Sequence, residues 1–466
     1  MVTAESHLFT RYSPLDGSKV GEVEFLDPAA ASGVLDTARA AFASWSQTTI
    51  ESRGRVIRQA ALAIESDREF LAQLVRKETG KPLQVALGEI GGAVEMGFLV
   101  ASHGRHPSGY VLPSAVPGKH VRVERVPFGV AVLIVTYNAP VPNYAWKVFP
   151  SLMAGNAVVL KPSPATALSA NRFAEIMWAA GVPEDALQVV HGEGDVAAAL
   201  LEAGPELVSF TGSYNTGQKV AEAAARVLAK TVVELGGSNP LIVCADANLD
   251  KAATTAIDSA YSNAGQRCAS ASRIIIEASV YDEFRQIFLD KATKLSFGNA
   301  DDVDVSTLVS AESVRSFEEY LVRASGSDGV VTRLGSFSGD SSTRDCVAQP
   351  AVIEGLDARQ AIAAEEFFGP ATRFFPFGSE DEALDIANSS PYALTAAVWT
   401  EDISRAERML KKLDAGVVSI NGPTHGAEIN MPFGGAKNSG NGTRDAGVFS
   451  VDEYSDTRVV STFLRA

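Results

Sequence analysis

Five short apolar runs between residues 129 and 235 constrain this chain more than any other feature. GVAVLIVT (129–136), NAVVLK (156–161), LQVVHG (187–192), ELVSF (206–210) and TVVEL (231–235) are continuously apolar rather than alternating. The stretches between them, 141–154, 165–180, 195–203 and 217–229, have helical length and spacing. A strand that is apolar on both sides must be buried on both faces, and alternating helices supply the cover. The pattern predicts an α/β fold with a parallel sheet and right-handed connections. Ligands bind such sheets outside the carboxyl ends of the strands.

The flanking regions read differently. Residues 28–105 are mainly helical: Asp27-Pro28 marks a start, and ALAIES and EFLAQLVRKETG show apolar residues at helical spacing. Thr79-Gly80-Lys81-Pro82 interrupts them, and the next helix (83–102) carries Gly91, Gly92 and Gly97, which suggest close packing. Residues 108–127 form two β-rich arms around Pro117-Gly118, and HVRVERV alternates with period two. Such a hairpin has one wet face and an edge that calls for a partner. Beyond residue 235, helices are expected at 249–263 and 280–295. Strands are expected at 273–277 and near 347–353, 373–377, 395–400 and 416–420, and the tail YSDTRVVSTFLRA alternates like a strand.

Charge narrows the function. With 40 basic against 56 acidic residues, the chain carries a net −16 and would repel nucleic acid and anionic membranes. The 466 residues, 46% hydrophobic, can fill two or three domains. The N-terminus lacks the pattern of a signal peptide, and no window holds the ~18 uninterrupted apolar residues of a membrane helix. Three cysteines without metal-like spacing (Cys244, Cys268, Cys346) suit reduced thiols in a cytoplasm, with no metal site.

The chemistry gathers around ELGG (Glu234 to Gly237) and AGQRCAS, which places Cys268 268 − 234 = 34 residues after Glu234. A thiolate is a strong nucleophile, and a nearby carboxylate can act as general base. A lone cysteine is more often a small buried hydrophobe, and Cys244 in LIVCAD reads that way. Cys268 has Gln266 and Arg267 before it and Ser270 and Ser272 after it, and a neighbouring guanidinium lowers a thiol pKa. Local chemistry alone leaves both readings open.

SFTGSYNTG (209–217) sets Gly212, Ser213 and Gly217 between a strand and a helix, where backbone N–H groups could meet a pyrophosphate. It is neither a P-loop nor G-x-G-x-x-G, and a plain turn is the alternative. Lys161-Pro162-Ser163-Pro164 ends the second strand, so Lys161 could reach ribose hydroxyls or stay a solvated loop lysine. Asn138 could donate to a developing oxyanion or simply start a turn. Glu365-Glu366-Phe367-Phe368 pairs carboxylates with rings, suited to a sugar diol and a flat heterocycle or to a solvated helix end.

In order along the chain, YNAP, KPSP, FTGS, ELGG, GQRC, EEFFGP and PFGG resemble the aldehyde dehydrogenase superfamily over nearly its whole length. The resemblance implies Cys268 as nucleophile, Glu234 as general base, Asn138 with the Cys268 N–H as oxyanion hole, and Lys147 nearby. It implies NAD or NADP contacts at Lys161, Ser163, Pro164, Gly212, Ser213, Gly217, Leu235, Gly236, Glu366 and Phe368. It also implies a cofactor domain (1–107 with 128–235), a catalytic domain (236–431) and an oligomerisation arm (108–127 with 448–466) in a homodimer or homotetramer. Because Glu234 is present, the acyl group should leave by hydrolysis; relatives that use coenzyme A typically lack this carboxylate. Many NAD-preferring relatives carry KPSE, and Pro164 in place of that glutamate predicts that both cofactors are accepted.

The aldehyde funnel is expected around Asn143, Trp146, Arg267 and the loop 422–430 with Gly426 and Ala427. That loop and YAWK resemble alpha-aminoadipic semialdehyde dehydrogenases, and NGPT with MPFGG is similar to vanillin and benzaldehyde dehydrogenases. Arg267 beside the thiol favours a semialdehyde bearing a carboxylate, with an aromatic aldehyde second. An inactive member of the fold would be expected to lose Cys268, Glu234 or Asn138. A cysteine hydrolase would need a histidine partner that the six histidines do not offer.

Overall fold

The computed structural model describes residues 7–106 and 109–464. Residue 108 of the expected hairpin and the last two residues of the tail lie outside this range. The runs between 129 and 235 form one five-stranded parallel sheet, in the order Leu187–Val189, Ala157–Lys161, Val130–Ile134, Leu207–Thr211, Lys230–Glu234. Side chains alternate across it. Val130, Val132 and Ile134 pack with helices Ala31–Trp45 and Gly194–Glu202, while Ala131 and Leu133 pack with Leu83–Ser102, Pro140–Ala154 and Ala167–Ala179. Chain order reverses between Val130–Ile134 and Leu207–Thr211, which opens a crevice at their carboxyl ends.

A seven-stranded sheet follows, ordered Val330–Arg333, Ala351–Glu354, Ala371–Phe377, Arg273–Glu277, Pro240–Val243, Thr395–Trp399, Val417–Ile420. All its neighbours are parallel except Val330–Arg333, which runs antiparallel to Ala351–Glu354. The interior strand Pro240–Val243 leaves little mark in the sequence because it has only four residues and begins with proline. Proline is tolerated as the first residue of a strand. Helices Ala311–Ser325, Glu380–Asn388 and Ile403–Leu410 and the hairpin of His7–Tyr12 with Lys19–Phe25 were likewise not read.

The stretch Leu83–Arg105 is long and apolar enough to cross a membrane by length and composition. In the fold its helix packs on Ile50–Ser66, Arg68–Thr79 and Pro140–Ala154. A Cβ on Gly97 would lie 2.7 Å from that of Ala61, so Gly97 does serve close packing. Gly92 does not: no heavy atom lies within 4 Å of its would-be Cβ, because it faces a cavity.

The hairpin and the tail join in one antiparallel sheet, with Lys119–Pro127 between Tyr110–Leu112 and Ser455–Phe463. Tyr110, Val111, Val459 and Phe463 are exposed on it.

Candidate active site

A cavity of about 730 Å³ lies where the carboxyl ends of the first sheet meet residues just ahead of the second. Asn138, Gly212, Ser213, Glu234, Leu235 and Gly236 line one side, and Arg267, Cys268, Glu366 and Phe368 the other. Asn143 and Trp146 project from helix Pro140–Ala154, and the loop with Gly426 and Ala427 closes the far wall. Lys147, Lys161, Ser163, Pro164 and Gly217 do not line this cavity. Lys147 sits behind its wall, and the others lie beside it at the strand and helix ends.

Cys268 is held by a strained turn. Asn263 and Ala264 have φ of 53° and 54°, and at Gly265 (φ 70°) a Cβ would overlap the Gly369 carbonyl. Asn239 Nδ2 donates to the Cys268 carbonyl at 2.7 Å and to that of Ser270 at 2.9 Å, fixing both ends of the turn. The thiol keeps part of its surface open to the cavity but is otherwise enclosed. Burial pushes its pKa up to about 12, with Glu366 and then Glu234 adding and Arg267 opposing. The lowering expected from Arg267 is present but outweighed, so the thiol is protonated near neutral pH.

Glu234 ends strand Lys230–Glu234 with 4% exposure, and neither carboxylate oxygen has a hydrogen-bond partner. Burial, then Asp445, push its pKa well above the usual carboxylate range, against Lys147 and Arg444. Gly434 gives it room, since a Cβ there would lie 2.5 Å from Glu234 Oε1. Behind it runs a buried network absent from the sequence reading. Lys147 Nζ donates to Ser209 Oγ at 2.8 Å and pairs with Asp445, and Tyr454 OH donates to Asp445 Oδ1 at 3.2 Å. No motif or spacing in the sequence ties Asp445 or Tyr454 to Glu234.

Asn138 follows strand Val130–Ile134. Its Oδ1 is buried without a partner, and among the described residues none holds its side-chain amide. The Cys268 N–H likewise bonds to no other of the described residues. Two free amides beside a thiol can receive an oxyanion. Thr211, missed in the sequence, adds a third unpartnered polar atom, Oγ1, on the same wall.

The residues beside the cavity suit a dinucleotide. Helix Tyr214–Arg226 starts on Ser213, whose Oγ donates to Thr216 Oγ1 at 3.1 Å and caps no main-chain N–H. An uncapped helix N-terminus at a strand's carboxyl end suits a pyrophosphate. Gly217 lets that helix sit on Leu235, whose side chain a Cβ would overlap. Lys161 is 5% exposed, yet among the described residues its Nζ donates only to the Pro162 carbonyl at 3.3 Å, which leaves a buried ammonium short of acceptors. Burial lowers its pKa to about 8, against Glu193 and Asp195. Those two carboxylates restore near Lys161 some of the negative charge that Pro164 takes away, and they work against a 2′-phosphate there. Ser163 Oγ accepts the Ala165 N–H at 3.3 Å.

EEFFGP resolves cleanly. Glu365 pairs with Arg323, and Phe367 stacks on Tyr320 at 4.4 Å beneath Arg373. Glu366 and Phe368 turn into the cavity, Phe368 edge-on to Tyr137 at 6.3 Å. Gly237 N donates to Glu366 Oε1 at 3.1 Å, and burial raises the Glu366 pKa to about 7. A Cβ on Gly236 would overlap the Glu366 carboxylate.

The sequence model of the aldehyde dehydrogenase family matches residues 1–460. Alpha-ketoglutarate semialdehyde dehydrogenase of Haloferax volcanii is 32% identical over 434 residues, spanning 92% of this chain and 90% of that protein. Human 2-aminomuconic semialdehyde dehydrogenase is 34% identical over 438 residues, spanning 92% and 89%. Betaine aldehyde dehydrogenase from Staphylococcus aureus, solved in complex with NAD+, superposes with a TM-score of 0.95 at 31% identity, covering 99% of this chain and 92% of that one.

Proposed function

The chain belongs to the aldehyde dehydrogenase family of NAD-dependent oxidoreductases, and from there we propose that its substrate is a semialdehyde with a carboxylate at its far end. The observation that carries the reading is Arg267. Its guanidinium lines the cavity next to Cys268, its Nε is buried without a partner, and among the described residues it forms no ion pair. A cation held unpaired in a reaction cavity favours an anionic substrate group. Two of the relatives named above are themselves named for semialdehydes. The aromatic alternative draws on Trp146, Phe433 and the room beside Gly88 and Gly92.

In the proposed reaction, Cys268 gives up its proton to solvent in the cavity and adds to the aldehyde carbon as thiolate, while the Asn138 amide and the Cys268 N–H hold the oxygen. One such donor is worth ~3–4 kcal/mol elsewhere. NAD, which would supply the acceptor for the hydride of this carbon, would be held by Lys161, the amide end at Ser213 and Glu366. The chain is left carrying a thioester. Glu234 takes a proton from water, the water oxygen attacks the thioester carbon, and Cys268 departs as thiolate with the acid released.

Succinic semialdehyde and benzaldehyde separate the two substrates. Arg267→Gln should lower kcat/KM for succinic semialdehyde about thirtyfold more than for benzaldehyde, as expected for lost hydrogen bonds to a charged group, ~2 kcal/mol. The ratio is the readout because Arg267 also acts on the thiol. A parent enzyme that strongly prefers benzaldehyde, or a variant that loses both equally, would reverse the ordering.

The reading extends to assembly as a homodimer or homotetramer through the three-stranded arm. Its support is the apolar surface of Tyr110, Val111 and Phe463 beside an edge strand, which natural proteins otherwise protect. Light scattering on the full chain should give a multiple of the 49.1 kDa protomer, and a monomer at micromolar concentration would remove this part.

A further inference from the structure

One buried cation near the cavity has no part in the chemistry above. Lys81 is 1% exposed, on a turn where Gly80 has φ 78° and a Cβ on that glycine would overlap Thr307 Oγ1. Its Nζ donates to both Glu89 carboxylate oxygens at 2.6 Å and to the main-chain carbonyl of Asn138 at 2.7 Å. Three N–H groups meet three acceptors, so the ammonium is saturated. The same Asn138 carbonyl accepts Asn263 Nδ2 at 3.2 Å, and Asn263 also donates to the Gln266 carbonyl at 3.3 Å, two residues before Cys268. Asn138 is therefore gripped from two directions, by the turn that opens helix Leu83–Ser102 and by the loop that carries the thiol.

We propose that Lys81, neutralised by Glu89, is a positioning residue that fixes the main chain of Asn138 so that its side-chain amide meets the oxygen of the Cys268 adduct. The proposal rests on the reading of Asn138 as the oxyanion donor. Two physical arguments support it. Among the described residues none holds the Asn138 side chain, while its backbone carbonyl is held by two, so its aim is set through the main chain. A buried ion pair is also seldom needed for stability alone, since apolar residues of similar volume often serve as well or better. Retaining one directly behind a catalytic donor points to geometry. The sequence gives no sign of this, because Lys81 reads only as part of a helix-breaking Gly-Lys-Pro turn.

The experiment uses the full-length enzyme and compares Lys81→Met/Glu89→Leu, Asn138→Ala and the triple variant. The Lys81/Glu89 pair should fold with a Tm near the parent and bind NAD with unchanged Kd. Its single-turnover rate of NADH formation should fall about a hundredfold with KM little moved, the scale of a ~1 Å misplacement. In the Asn138→Ala background the same pair should cost less than about threefold, because the group it aims is already gone. If the pair variant does not fold, Lys81→Arg keeps the charge but changes the reach, and it should show the same split between kcat and KM. A pair variant at the parent rate, or full additivity with Asn138→Ala, would overturn the proposal while the oxyanion reading survives. Parent-like NADH formation by Asn138→Ala alone would remove that reading and the proposal with it.

Discussion

Cys268→Ala should lower aldehyde oxidation on the order of a millionfold in kcat, the scale seen when the nucleophile of a covalent enzyme is removed, while NAD still binds. The thiol shares the cavity with two unpartnered carboxylate oxygens of Glu234 and the free amide of Asn138, and among the described residues no other cysteine lines that cavity. Cys244 is buried in the second sheet's core at 1% exposure, and its thiol is pushed up to about 11. His425, also on the cavity wall, bonds Asp258 at 3.1 Å. The pH dependence has a definite sign. With the thiol pKa raised to about 12, the thiolate fraction, and with it the acylation rate, should rise with pH across the neutral range. Rapid-quench measurement of NADH formation at pH 6 to 9 would check it. Measurable steady turnover by Cys268→Ala would exclude the covalent route.

Much of the scaffold was legible because burial on both faces leaves a direct mark on sequence. The runs at 130–134 and 157–161 are buried at every residue, and the one polar side chain in them, Lys161, stands at the carboxyl end of its strand. Pro240–Val243 carries the same mark but is too short to separate from the ELGG turn before it. Glycines were less transparent. Gly97 and Gly92 look alike on one helix, yet one touches Ala61 and the other faces empty space. Which of the two a glycine does depends on neighbours that come from other segments.

The site divides along the same line. Motif residues such as Glu234, Cys268 and Glu366 could be singled out because glycine turns flank them, and turns bring side chains to sheet edges. Partners that act from behind could not be seen. Lys81 and Asp445 reach Asn138 and Lys147 across the fold, through contacts that no local pattern encodes. Charge balance was hidden for the same reason. Pro164 suggested an electrostatic opening for NADP, while Glu193 and Asp195, close to Lys161 only after folding, work against it.

Glu234→Gln tests the second half of the reaction and should separate its two steps. If Glu234 activates the water, the variant should still transfer hydride once and then stall as the thioester. Mixing enzyme with NAD and aldehyde should then release a burst of NADH close to one per active site. The steady rate afterwards should be on the order of 10² to 10⁴ lower, the usual contribution of a general base. The raised pKa adds a pH signature. The carboxyl must lose its proton to act, so in the parent the deacylation-limited rate should climb with pH up to that raised value. In the glutamine variant this slope should disappear. Stability moves the opposite way. The folded state holds the Glu234 proton at pH values where the unfolded chain has released it, near the ordinary carboxylate value of ~4.3. This contribution is therefore fully present at low pH and is lost as pH rises through the raised value. Replacing the acid by an amide removes that share of the decline in Tm, which differential scanning fluorimetry from pH 5 to 9 would register. Unchanged steady turnover without a burst would assign the base to another group, and the unpartnered oxygens of Glu234 would then need a different explanation.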